Sequence, residues 1–312
     1  MKHYLVTGGA GFIGSHIVRA LLGQGDFVRV LDNFSSGRRE NLDGLNDIKN
    51  RGGFELLDGD VRDSEKTAQA VKNVDVIFHE AAFVSVPESM EKPQECFDVN
   101  VAGTCALFEA ARRAGVRRVV IASSAAVYGD LQTLPLGEDL RLQPLSPYAV
   151  SKRVDEMYAA LYNQCFGLEV AALRYFNVYG PRQRPDSMYA AAVPIFISNL
   201  RAGKAVTVFG DGGQTRDLIF VGDVVRANLI AAEHPAAAGE IFNICTGQAT
   251  RILDLVNGLH NLFPGALPPG FAPARPGDIY RSLGNPAKAE KMIDFTASVS
   301  LDAGLRETVE CR

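Results

Sequence analysis

Two stretches carry residue types that can move a proton. Tyr148-Ala149-Val150-Ser151-Lys152 follows Ser146-Pro147. A helix starting there puts Tyr148 and Lys152, four residues apart, on one face. A phenol is a poor base at neutral pH, and a neighbouring ammonium favours its ionised form. Upstream, Ser123-Ser124-Ala125-Ala126-Val127-Tyr128-Gly129 closes an apolar β-branched run. The carboxyl ends of buried strands are where open α/β sheets hold ligands, so a hydroxyl there can hold a substrate oxygen beside the tyrosine. Each pattern also has a plainer use: tyrosine and lysine share many surface helix faces, and a serine pair can satisfy local backbone. Near the other end, RPGDIYRSLG (residues 275–284) gathers Arg275, Asp278 and the small residue Ser282.

A third stretch binds rather than reacts. Gly8-Gly9-Ala10-Gly11-Phe12-Ile13-Gly14 follows an apolar strand over residues 4–7 and opens an amphipathic helix. Gly9, Gly11 and Gly14 fit G-x-G-x-x-G, and Gly8, Gly11 and Gly14 fit the G-x-x-G-x-x-G variant. Either way the glycines make a tight turn and let backbone approach a pyrophosphate at a helix N-terminus. The strand-turn-helix context is the one this motif requires. The second strand ends at Asp32, whose carboxylate can accept hydrogen bonds from the ribose 2′- and 3′-hydroxyls and would repel a 2′-phosphate. That selects NAD over NADP. Asn33, Ser35 and Gly37 form a polar loop suited to adenosine, and Asp60 and Val61, after the third strand, stand where adenine would lie.

These groups need a scaffold. β-Branched runs over residues 4–7, 27–32, 54–58, 75–79, 118–123 and 169–175 alternate with helical patterns over 13–23, 64–71, 100–114 and 148–166. Such alternation means βαβ units and a buried parallel sheet. Beyond Asn177 prolines and glycines become denser, with helices expected over 189–202 and 221–233 and a loop over 264–276. The expected fold is α/β, a Rossmann-type doubly wound parallel sheet with a smaller mixed α/β C-terminal substrate-binding domain. Residues 1–177, with a return of about 215–246, form the NAD-binding part, and 178–312 mainly the other.

Composition excludes several classes. The 312 residues are 22% charged with a net charge of −4, which gives no basic surface for nucleic acid or an anionic membrane. No apolar run approaches the ~18 residues of a membrane span. Cys96, Cys105, Cys165, Cys245 and Cys311 are odd in number and scattered, without metal-ligand spacing, as expected of free thiols in a reducing compartment. The N-terminal residues run into a strand without the pattern of a secretory leader. The expectation is a cytoplasmic protein with no metal.

Taken together, TGGAGFIGSH, SSAAVYG, SPYAVSK, RYFNVYGPRQ, TRDLIFVGDVVRA and RPGDIYRS resemble the extended short-chain dehydrogenase/reductase family, and within it the UDP-hexose 4-epimerases. The resemblance runs from residue 3 to about residue 310. It implies that Tyr148 is the general base, that Lys152 holds the nicotinamide ribose, and that Ser124 bonds the reacting sugar oxygen. C4 of the sugar would be oxidised by NAD transiently and reduced again on the opposite face. Phe12, Ile13, Ala81, Ala82 and Asn100 would complete the cofactor site. On the substrate side the resemblance implies Ser85 near the hexose, Asn177 at the sugar diphosphate, Ala192, Val193 and Phe209 around the uracil, Arg216 and Arg275 on the diphosphate, and Asp278 on the uridine ribose. Ser282 stands where relatives restricted to plain hexoses carry a bulky tyrosine, so N-acetylated UDP-sugars are expected to fit as well, unless Tyr280 turns inward.

The same comparison separates neighbouring chemistries. Related dehydratases carry Asp-Glu where Ala125-Ala126 stand, and related decarboxylases a glutamate at Ala126. Two alanines have no proton to offer, which argues against elimination and decarboxylation. The alternative is a UDP-glucuronate 4-epimerase, which would need a cation facing the hexose C6, or another nucleotide-sugar member of the family. A sensor that binds NAD without chemistry is the outside alternative. The resemblance also implies a homodimer built on the helices expected over 100–114 and 148–166.

Overall fold

The computed structural model describes residues 1–48, 51–185, 191–274 and 279–311. Arg275 and Asp278 therefore lie outside the described residues.

The N-terminal part runs β1 (His3–Thr7), α1 (Phe12–Gly23), β2 (Phe27–Asp32), β3 (Phe54–Asp58), α2 (Ser64–Ala70), β4 (Val76–His79), α3 (Val86–Glu91), α4 (Pro93–Phe97), α5 (Gly103–Ala114), β5 (Arg118–Ser124), α6 (Pro147–Phe166) and β6 (Glu169–Tyr175). It continues with β7 (Asn177–Tyr179), α7 (Ala192–Arg201), β8 (Thr207–Phe209), β9 (Thr215–Arg216), β10 (Leu218–Phe220), α8 (Val221–Glu233), β11 (Ile241–Ile244), β12 (Thr250–Arg251), α9 (Ile252–Leu262), β13 (Gly270–Ala272), α10 (Ala287–Ile293) and α11 (Leu301–Glu310).

Seven of the strands form one sheet in the order β11-β6-β5-β4-β1-β2-β3, all parallel. Side chains alternate across it, as strand geometry requires. Tyr4 and Val6 pack with Ile17, Leu21 and Val224 of α1 and α8. Leu5 and Ile121 pack on the opposite face with Leu107, Phe108 and Tyr162 of α5 and α6. The strand order reverses between β1 and β4, so a crevice opens there at the carboxyl ends of the strands. A third core, with Phe196 of α7, Val208 of β8, Leu255 of α9 and Leu305 of α11, builds a smaller body from the C-terminal part. Helix α8 and strand β11 return to the large sheet.

Two local expectations change. Strand β13 interrupts the loop expected over 264–276 and pairs in parallel with β8, Gly270 against Thr207. Three residues of main-chain pairing outweigh the Pro/Gly-rich composition around them. The helix expected from residue 100 is instead a longer helical run from Pro93, with a π-helical turn over Asp98–Ala102 joining α4 to α5.

Candidate active site

The glycine turn has the shape a dinucleotide needs. Gly8 has a φ of +68°, a region that favours glycine. A Cβ on Gly14 would stand 2.3 Å from the Gly8 carbonyl oxygen, and one on Gly8 would stand 2.7 Å from the Ala81 amide nitrogen. No side chain caps α1 at Gly11, so its first amides remain for an anion. Asp32 is buried and accepts hydrogen bonds from the Ala10 and Phe34 amides, both at 2.8 Å. An ionised carboxylate offers about four acceptor sites, so two remain for ribose hydroxyls. Burial pushes this carboxyl above its ordinary range, and the two amides act against that shift. Asp60 is held by Arg62 and Asn33, which draws its carboxyl down to about 2. These residues fit NAD.

Helix α6, which carries Tyr148 and Lys152, is fixed at its start. Ser146 caps α6 by accepting from the Ala149 amide at 3.1 Å, with Pro147 in the first turn. The Tyr148 amide donates to Ser89 Oγ at 3.2 Å. Lys152 is buried, and its ammonium lies 3.5 Å from Asp155. Ser151 Oγ donates to the Tyr148 carbonyl at 2.8 Å and accepts from Asn100 Nδ2 at 2.8 Å.

The two serines of β5 divide their work. Ser123 Oγ donates to Glu156 at 2.7 Å. Ser124 Oγ accepts from the Ala126 amide at 3.1 Å, which leaves its hydroxyl proton to donate. Glu156 also holds Arg174 through two bonds of 2.7 and 2.9 Å. In addition, Arg174 donates to Tyr128 Oη, which donates to Asn243. This polar block sits directly behind the strand end.

One cleft of about 1460 Å³ connects these groups. A single small-ligand pocket spans roughly 300–1,000 Å³, so the space suits two ligands. Its wall includes Gly8, Gly11, Phe12, Ile13, Gly14, Asp32, Asn33, Ser35, Asp60, Val61, Ala81 and Ala82 on the dinucleotide side. Ser124, Tyr148 and Lys152 follow, and beyond them Ser85, Asn177, Ala192, Val193, Phe209 and Arg216.

Three expected residues lie off this wall. Gly37 instead lets its loop pass close to Asp32: a Cβ there would stand 2.9 Å from Asp32 Oδ1. Asn100 spends its amide on the backbone of Phe83, accepting at 2.7 Å and donating at 3.1 Å, and on Ser151. The π-helical turn aims it there. The amide of Ser282 donates to the Thr215 carbonyl. Tyr280, two residues before it, is 50% exposed and turns its phenol to Asp211.

Sequence reading missed Glu80, Asp155 and Asp217. Glu80 is on the cleft wall and accepts from Tyr175 Oη at 2.8 Å, and burial pushes its carboxyl up to about 7. Its place just past β4, at a strand carboxyl end, was the available signal. Asp217 is fully buried and accepts from Thr246 N and Oγ1, Gly247 N and Gly284 N. It ties the end of β11 to the segment that carries Ser282.

Comparison with known proteins agrees with this geometry. The chain belongs to the NAD dependent epimerase/dehydratase family, whose profile matches residues 4–245. It is 41% identical to a UDP-glucose 4-epimerase of Mycolicibacterium smegmatis, over 98% of this chain and 97% of that one. Among solved structures it is similar to the UDP-N-acetylglucosamine 4-epimerase from Methanobrevibacter ruminantium M1 in complex with UDP-N-acetylmuramic acid. There the TM-score is 0.93 and the identity 36%, over 99% of this chain and 97% of that chain. It is also similar to the Thermus thermophilus UDP-glucose 4-epimerase in complex with NAD, with a TM-score of 0.88 and 37% identity over 99% of this chain and 98% of that chain.

Proposed function

We propose that this chain is an NAD-dependent 4-epimerase of UDP-sugars. The observation that carries the reading is that Tyr148, Lys152 and Ser124 share one cleft wall with the glycine turn and Asp32. The cofactor supplies a hydride acceptor and donor at the sugar's reacting carbon. Tyr148 removes the proton of the 4-hydroxyl and later returns it. Lys152 places a cation beside the phenol and holds the nicotinamide ribose. Ser124 keeps the sugar oxygen near Tyr148 by donating its free proton. Holding these groups in one geometry supplies much of the rate.

The dinucleotide is assigned to residues 1–177 with the return at about 215–246, and the nucleotide sugar mainly to 178–312. Asn177, Ala192, Val193, Phe209 and Arg216 are assigned to the UDP moiety, and Arg275 and Asp278 join them by resemblance. Guanidinium groups suit a diphosphate. N-Acetylated UDP-sugars are included because Ser282 is small and Tyr280 turns its phenol to Asp211.

The chain is further proposed to act as a cytoplasmic homodimer. Val150, Met157 and Leu161 form a stripe along α6 that is 47%, 57% and 43% exposed. Such a stripe suits helix-to-helix packing between copies. No described helix is long and apolar enough to cross a membrane.

The test is epimerisation by the purified protein without added NAD, with UDP-glucose and UDP-GlcNAc offered separately. Turnover of both supports the reading and a retained cofactor. Turnover of UDP-glucose alone removes the N-acetylated substrates. No turnover of either sugar, even with NAD supplied, removes both and makes UDP-glucuronate the next substrate to offer; no turnover of any of the three overturns the reading.

A further inference from the structure

A hydrogen-bond chain runs behind the cleft and ends on Lys152. The Ala81 amide donates to Thr7 Oγ1 at 3.3 Å. Thr7 Oγ1 pairs with His79 Nδ1 at 2.7 Å, and His79 Nε2 pairs with Thr104 Oγ1 at 2.9 Å. The Thr104 hydroxyl faces the Asp155 carboxyl and favours its ionised form. Asp155 faces the Lys152 ammonium at 3.5 Å, and both side chains are buried.

The chain has one direction. In its ionised form Asp155 only accepts, so Thr104 then gives it its proton. Thr104 Oγ1 then accepts from His79 Nε2–H, which leaves Nδ1 bare to accept from Thr7. Burial and Lys152 hold the His79 pKa down to about 3, so the ring is neutral and has one proton to place. The far end is a backbone amide, which gives no proton to solvent. The chain is therefore built to orient and polarise, not to conduct protons.

We propose that Asp155 is a positioning residue for the epimerase reaction: as the buried counter-ion of Lys152, it fixes the ammonium and sets how much of its charge reaches Tyr148. This rests on the role given to Tyr148 above. A buried ammonium without a partner is costly, and Asp155 meets that need from the side of Lys152 away from the cleft. Its charge also opposes ionisation of the nearby phenol, so the pair delivers a reduced field.

The groups facing the pair are few. Glu156 lies beside Asp155 on α6, Cys105 and Thr104 face it from α5, and Cys96 from α4. Glu80 and His79, at the end of β4, act on Lys152. Glu80 remains as a second carboxyl near Lys152 when Asp155 is neutralised. Burial pushes the Asp155 carboxyl up to about 7, with Lys152 and Thr104 acting against that shift, so its charge is in place above that pH.

The test reads the phenol directly. Phenolate absorbance of the purified, NAD-loaded protein is titrated against pH, and the Tyr148→Phe titration is subtracted to remove the other tyrosines. Asp155→Asn keeps the shape and the acceptor oxygen but removes the charge. Its midpoint should fall by about one pH unit, the scale of one unit charge several ångströms away at an effective dielectric near 20. Thr104→Val weakens the hold on the ionised carboxyl and should move the midpoint the same way by less, which decides the matter if Asp155→Asn does not fold. A midpoint unchanged or raised in the folded variants overturns the proposal. Because the readout needs no turnover, a parent protein inactive on every UDP-sugar would fail the functional reading separately.

Discussion

Arg174 is 1% exposed and its partner Glu156 is 0% exposed. The guanidinium spans both carboxylate oxygens and also lies 4.9 Å from the Tyr128 ring centroid. Replacing Arg174 by methionine keeps most of the volume and removes the charge. Glu156 would then keep Ser123 at 2.7 Å and Arg153 at 3.1 Å, but Arg153 is half exposed and screened. Breaking one side of a buried pair typically costs 3–5 kcal/mol. With two donors remaining, the loss should fall near the low end, about 3 kcal/mol. For a chain of this size that corresponds to a melting point lower by roughly 5 °C.

Urea and thermal unfolding of the parent, Arg174→Met, Glu156→Leu and the double variant close a double-mutant cycle. The double variant should recover at least about half of the loss, because it leaves no buried charge alone. A loss below about 1 kcal/mol in Arg174→Met, or a double variant as unstable as the sum of its parts, would refute the reasoning. Glu156 lies eight residues beyond Tyr148 on α6, about two turns. The single variant should therefore also lower kcat more than it raises KM.

Tyr148→Phe should reduce turnover by roughly 10²–10⁴-fold while the protein still retains NAD; an unaffected rate removes Tyr148 from the mechanism. Gly14→Ala puts a Cβ 2.3 Å from the Gly8 carbonyl oxygen. It should cut the NAD content of the purified protein, read by absorbance after denaturation, and full occupancy would contradict the cradle. Burial raises the Glu80 carboxyl from 4.5 to about 7, so the folded state binds a proton in that window that the unfolded state does not. That stabilisation is present below about pH 4.5 and lost as pH rises through about 7. Glu80→Gln should gain on the parent over this range by up to about 3 kcal/mol, less solvent screening; a pH-independent difference in melting point would show that Glu80 does not titrate there.

What the sequence revealed follows from the range of each interaction. The glycine turn and Asp32 are legible because one strand-turn-helix segment and the end of the next strand carry them. Tyr148 and Lys152 are legible because helix geometry alone puts them on one face. Asn100 is expected at the cofactor, yet its amide faces Phe83 and Ser151. Only the π-helical turn aims it there, and no residue pattern announces that turn. Strand β13 is hidden for a similar reason, since main-chain pairing with β8 leaves little trace in side chains. Of the two helices expected to build a homodimer, α5 sends Leu107 and Phe108 into the core, while α6 carries the exposed Val150, Met157 and Leu161.

The residues proposed to carry the reaction are local in sequence, but their aim is not. The Tyr148 amide bonds a residue 59 positions away, and the Ser151 hydroxyl one 51 positions away. Lys152 is held by Asp155, which depends on Thr104, His79 and Thr7 from three other elements. Ser124 is placed by a strand whose preceding serine is tied to Glu156 and, through it, to Arg174 on β6. Each of these side chains therefore inherits its position from a buried polar group that never reaches the cleft. Buried polar groups are costly when half satisfied, so these networks have few alternative arrangements, and that rigidity is what a positioned proton transfer requires. Substitutions at Thr104, Asp155, Glu156 or Arg174 should accordingly damage turnover more than substitutions at the cleft-lining alanines, although none of the four touches the wall.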